Sequence, residues 1–130
     1  GFLQKLEVLR LDNNTLEGVI PTTFAGLVNL KRFTASHNRL MGTLPDCLCS
    51  LDSIQEVILA HNQIGGELPS DIGNLTNLRT LDLGHNRLRG AIPTSIRECT
   101  ALTLLTLEGN LLEIERLVLQ AALKITKLVI

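Results

Sequence analysis

Three histidines, His37, His61 and His85, stand 24 residues apart, each directly before an asparagine. Imidazole changes charge near neutral pH and is a common ligand for transition metals. If the chain folds into coils of that length, the three rings fall in one line. Two chemistries are open to such a line: binding a metal, or losing contacts on protonation at about pH 6. No carboxylate is expected beside the row to complete a metal site, so no metal is expected. Cys47 and Cys49 sit two apart in "DCLCS", too close for an easy mutual disulfide, and Cys99 replaces the Leu found at 27, 51 and 75. Reduced or buried thiols are the expectation, and zinc is not expected, because a structural zinc site needs four compactly spaced ligands and no second Cys or His pair accompanies this one. Asn13 in "NNT" and Asn74 in "NLT" are glycosylation sequons, the second on a turn away from the strands. The chain has no Gly-rich phosphate loop, metalloprotease helix or G-x-S-x-G elbow, so catalytic residues and cofactors are not expected.

The histidines belong to a longer phrase. "HNRLMGTLP" at 37–45 returns as "HNQIGGELP" at 61–69 and "HNRLRGAIP" at 85–93. Aligned on Asn14, Asn38, Asn62, Asn86 and Asn110, the chain shows five copies with no insertion between them, and a period of this size marks a solenoid. The apolar pairs Leu9 and Leu11, Phe33 and Ala35, Val57 and Leu59, Leu81 and Leu83, and Leu105 and Leu107 have strand period, so both members point inward. Five short strands should therefore stack in parallel. Each Asn turns the chain out of its strand, and its buried amide can bridge backbone groups of adjacent coils, which makes the five a structural ladder. Gly18, Gly42, Gly66 and Gly90 permit a tight or positive-φ turn. Pro21, Pro45, Pro69 and Pro93 follow three residues later and fix φ before a short helical turn that carries Phe24, Leu48, Ile72 and Ile96 inward.

In these residues the chain resembles the plant-type leucine-rich repeat, whose phrase L-x-G-x-I/L-P is complete here in four consecutive copies. The resemblance covers about residues 3 to 112. It implies an α/β solenoid of five coils with a concave parallel β-sheet and helical turns on the convex side. It also implies an extracellular or cell-surface protein that binds other molecules, as receptor-like kinase and receptor-like protein ectodomains and polygalacturonase inhibitors do. The fifth copy departs from the phrase, with Ile114 and Leu117 where Gly and Pro belong.

Composition agrees with a single repetitive unit. Of 130 residues 28 are Leu and only three are aromatic, all Phe, so the core is built from one aliphatic part. A net charge of -1 gives no field to attract nucleic acid or an anionic membrane. No run approaches the roughly 18 apolar residues of a membrane span, and no charged segment followed by an apolar run opens the chain. If the protein is secreted, its signal lies outside this chain.

Outward residues of equal repeat position form columns. The concave columns run Val8, Arg32, Glu56, Thr80, Leu104; then Arg10, Thr34, Ile58, Asp82, Thr106; then Asp12, Ser36, Ala60, Gly84, Glu108, beside a fourth of Asn13, His37, His61, His85 and Gly109. Charged, polar and small apolar groups mix without one theme, which suits a peptide or protein ligand. The aromatic platforms of a carbohydrate groove are missing. We assign ligand contact to Arg10, Asp12, Arg32, Ser36, His37, Glu56, Ile58, His61, Asp82 and His85, with a co-receptor as a further partner. Two other readings are a structural or self-assembling protein, for which a uniform ladder would be expected, and an inhibitor of a cell-wall hydrolase.

The solenoid is read as residues 1–112 and a capping segment as 113–130. In the latter, Ile114, Leu117, Val118, Ala121, Ala122, Ile125, Leu128 and Val129 follow helical spacing, which predicts an amphipathic helix closing that end. At the other end Leu3, Leu6, Leu9 and Leu11 begin in repeat register without a capping segment, so the first coil is expected to present apolar surface and to favour self-association.

Overall fold

The computed structural model of the protein describes residues 2–115 and 125–130. Among these residues eleven strands, numbered in chain order, lie in coils around one aliphatic core. The concave sheet consists of β1 (Val8–Arg10), β3 (Arg32–Thr34), β5 (Glu56–Ile58), β7 (Thr80–Asp82), β9 (Leu104–Thr106) and β11 (Lys127–Val129), parallel and in that order. The sequence dictates strands of three residues. The middle residue of each faces inward and the flanking two outward, while the next inward residue already belongs to the turn. Phe33, Val57, Leu81 and Leu105 are buried, as are Ala35, Leu59, Leu83 and Leu107. Burying a Leu fully is worth about 1.5 to 3 kcal/mol, so the inner rows supply the main stabilisation of the stack. Register follows the repeat, Val8 against Arg32, Arg32 against Glu56, Glu56 against Thr80 and Thr80 against Leu104.

Beyond each Asn turn the chain forms more strands. β2 (Glu17–Val19) pairs with β4 (Arg39–Met41), and β6 (Gly65–Gly66), β8 (Arg87–Ala91) and β10 (Leu111–Glu113) form a three-stranded group, with a single bridge between Thr43 and Gly65 joining the two. Gly18, Gly66 and Gly90 lie in these lateral strands and Gly42 directly follows β4, all at φ between 71° and 85°, the left-handed region that a side chain resists. Pairing here is offset by 22 residues, Glu17 against Arg39 and Gly65 against Arg87, whereas the concave strands keep 24. On the convex side, 3-10 turns at Thr22–Gly26, Asp46–Ser50, Ile72–Asn74 and Thr94–Glu98 follow the prolines and bury Leu48, Ile72 and Ile96.

The expected C-terminal helix over 113–130 is corrected at both ends. Glu113 closes β10, and Lys127–Val129 is the sixth concave strand, with Lys127 against Leu104 and Leu128 against Leu105, 23 residues on. Leu128 and Ile130 repeat the Leu105 and Leu107 pair, and both pack against the core. Parallel pairing to β9 supplies backbone partners that a helix at that place would leave unmade on the β9 edge. The middle of that expected helix, residues 116–124, lies outside the described residues.

Candidate ligand-binding surface

The geometry of the concave face is fixed from beneath by the asparagines. Asn62 Nδ2 donates to the carbonyls of Ala35 (2.9 Å) and Leu59 (3.1 Å), and its Oδ1 accepts the N–H of Leu40 (3.0 Å). Asn86 does the same one coil on, donating to Leu59 and Leu83 and accepting from Ile64. Asn38 and Asn110 hold the equivalent places, accepting from Leu16 and Leu88, while the exposed Asn14 donates only within its own turn, to Leu11 and Asp12. Each of the amides of Asn38, Asn62, Asn86 and Asn110 thus ties three segments of two coils.

The residue before each of these asparagines must turn with positive φ. Asn13, His37, His61 and His85 sit at φ 54° to 56° and Gly109 at 69°. Among residues with a Cβ, Asn, Asp and His accept this conformation most readily. The turn is also pinned, since the N–H groups of His37, His61 and His85 donate to the carbonyls of Ala60, Gly84 and Glu108 at 3.0, 2.9 and 2.7 Å. Successive imidazoles are consequently stacked, with centroids 4.3 and 4.4 Å apart and planes inclined by 12° and 13°. Near-parallel rings direct their nitrogen lone pairs alongside one another, not toward a common point. Among the described residues no group of three or more His, Cys, Asp or Glu side chains is placed to hold a metal ion. A carboxylate approaches the end of the row, Glu108 Oε1 being 3.6 Å from His85 Nε2. The row ends at Gly109, where an added Cβ would come within 2.5 Å of His85 Nδ1.

The residues assigned to ligand contact divide into free and engaged groups. Arg10 and the three histidines are exposed and Ile58 is half-buried on the open face, as is Asp82, whose Oδ1 accepts the Gly84 N–H at 3.0 Å. Arg32 and Glu56 face each other across adjacent strands, Nε to Oε2 at 2.6 Å and a second hydrogen bond from the guanidinium at 2.9 Å, so neither is a free charge. Asp12 is engaged too, accepting from the Thr34 hydroxyl and from the Ser36 N–H at 2.8 Å. Ser36, Ala60 and Gly84 are buried, so the middle of the third column forms the floor of a shallow trough between the exposed histidines and the half-buried Ile58 and Asp82. Sequence columns give the side of the sheet; they do not show which outward groups neutralise one another.

Of the sequon residues, Asn13 is exposed at the head of the histidine column and Asn74 is exposed at the end of a convex turn. Asn74 borders a convex hollow of about 660 Å³ lined also by Asp46, Asp52, Asp71 and Glu98. Cys47, Cys49 and Cys99 are free, and burial pushes the thiols of Cys49 and Cys99 up to about 12 and about 11.

The profile of the leucine rich repeat family matches residues 4–64 and 68–112. The fold and sequence are similar to the plant peptide hormone receptor RGFR1 in complex with RGF2, at 39% identity and a TM-score of 0.82 over 84% of this chain and 18% of that one. They are similar also to the Arabidopsis receptor kinase HAESA in complex with the peptide hormone IDA and the co-receptor SERK1, at 38% identity and a TM-score of 0.81 over 83% of this chain and 18% of that one. A plant ice-binding protein is similar at 28% identity and a TM-score of 0.77, over 82% of this chain and 35% of that one. The chain therefore spans less than a fifth of the length of the two receptors. No curated protein matches it in sequence.

Proposed function

The chain belongs to the leucine-rich repeat family, and on that footing we propose that it is a ligand-recognition segment of an extracellular plant-type receptor ectodomain, binding a peptide or protein on its concave face. The observation that carries this reading is the likeness, at 38% and 39% identity, to receptor ectodomains solved with peptide hormones. The chemistry of the face supports it. Arg10, Thr80, Ile58, Asp82 and the histidines offer charge, hydrogen bonding and apolar contact within one trough, the mixture that peptide recognition uses. Recognition, with a co-receptor as a second partner, accounts for these residues without any catalytic role. Asn74 carries a glycan on the convex side in this reading, where it leaves the concave face open. A uniform, repeated surface would have favoured the self-assembling alternative, and the concave columns are not uniform.

The test is calorimetric titration of the protein with synthetic RGF2, IDA and a panel of other secreted plant peptides. A peptide that binds should lose at least about tenfold in affinity, equivalent to 1.4 kcal/mol, on Asp82→Lys or Arg10→Glu. The convex change Arg97→Glu should leave binding as it was. Loss on the convex change alone would rule out the concave face.

A further inference from the structure

We propose that His37, His61 and His85 form one coupled titrating unit at the rim of the concave trough, closed as a parallel stack when neutral and splayed when protonated, so that the charge of that rim and its hold on a ligand change with pH. The consequence for ligand binding rests on the concave-face reading above; the titration itself does not. Three observations carry the proposal. The rings lie 4.3 and 4.4 Å apart with nearly parallel planes, so two protonated neighbours place like charges at a separation where repulsion exceeds thermal energy even in bulk water. All three rings are at the surface, where they exchange protons freely. Their backbone cannot yield, because each N–H is bonded to the next coil and φ is fixed by the turn. The repulsion is therefore relieved by side-chain rotation, which opens the rim and leaves the sheet intact.

The charged groups facing His61 are His37 and His85 within the row, Asp82 in β7 and Glu108 in the turn after β9. Desolvation in the stack, followed by the like charges of His37 and His85, holds His61 below the ordinary imidazole range, against the opposing pull of Asp82 and Glu108. The middle ring is stacked on both sides, so its protonation is the event that separates the stack. Below that point the rim carries a line of imidazolium N–H donors, which favours acidic ligand groups and repels basic ones.

The experiment is an NMR titration of the imidazole protons of the free protein from about pH 8 to about pH 5, the window in which imidazole changes charge. Three results are expected together. The His61 midpoint is the lowest of the three; His61→Asn raises the midpoints of both remaining rings; and the mutual ring-current shifts vanish at the acid end while the hydrogen-bonded sheet amides of Leu59 and Leu83 stay protected from exchange. Asn is suited to the position, since Asn13 holds the same φ in the first coil. Should that variant not fold, His37→Asn asks the same question from one side and must raise the His61 midpoint. Three rings titrating with one midpoint and indifferent to these substitutions would overturn the proposal, as would a stack that survives at the acid end. No ligand is present, so this outcome is separable from whether a peptide binds.

Discussion

Replacing Asn62 by Ala removes the centre of the ladder, and the cost can be worked from its bonds. The N–H of Leu40 loses its acceptor outright, Asn62 Oδ1 at 3.0 Å. The two carbonyls do not become orphans: Ala35 keeps Asn38 Nδ2 at 3.1 Å, and Leu59 keeps Asn86 Nδ2 at 3.0 Å. One buried unpaired N–H costs about 1 to 3 kcal/mol, and two weakened carbonyl contacts add up to about 1 kcal/mol each, which centres the loss near 3 kcal/mol. For a chain of this length that lowers Tm by roughly 10 °C. Asn14→Ala should cost much less, because Asn14 is exposed and bonds only to its own turn. Thermal and urea unfolding followed by far-UV circular dichroism measure both variants. Equal losses at the two positions, or an unchanged Tm for Asn62→Ala, would refute the ladder argument.

Gly73→Ala should destabilise by about 1 to 3 kcal/mol, since a Cβ there runs into the backbone carbonyl of Ser95, whose carbon lies 2.9 Å away. Gly26→Ala, with nothing within 4 Å of its added carbon, should be neutral or slightly stabilising in the same unfolding assay. Cys47 should react with a thiol reagent in the native protein while the buried Cys49 and Cys99 react only on unfolding. The raised thiols of Cys49 and Cys99 are protonated in the fold, so their contribution is fully present below the ordinary value of 9.0 and is lost as pH rises toward about 11 and about 12. Urea midpoints should accordingly fall as pH rises above 9.0, and less steeply in Cys99→Ala. The isolated chain should self-associate through its first coil, where Leu3 is 62%, Val8 46% and Val19 60% exposed. Sedimentation over a wide concentration range tests this, and a monomer throughout would exclude it.

The concave sheet was legible because its signal is a period: an inward residue at every second position, repeated at 24, leaves one register that buries Phe33, Val57, Leu81 and Leu105 together. The lateral strands were not legible. They are as short as two residues, run through glycines at positive φ, and pair at an offset of 22, so neither alternation nor the main period marks them. The C-terminal segment misled for a different reason. Its apolar residues fit helical spacing, yet Leu128 and Ile130 also spell the inward pair of a strand, and the free edge of β9 decided between the two at that point. Of the surface, the column assignments predicted the alignment of the histidines. The Arg32 to Glu56 pairing and the approach of Glu108 to His85 depend on side-chain reach between columns, which repeat position alone does not contain.

The left-handed turn before each ladder asparagine restricts the surface in a way that bears on how it can diversify. A position held near φ 55° admits Asn, Asp, His and Gly far more readily than branched or bulky residues. The column is therefore written in an alphabet of about four letters, and this chain uses three of them, Asn13, the histidines and Gly109. Substitutions among Asn, Asp and His there exchange protonation behaviour and hydrogen-bonding capacity, and Gly opens a gap in the rim. Along this line new ligand preferences arise by retuning charge or by removing a side chain, and branched or bulkier shapes must come from the strand columns beside it.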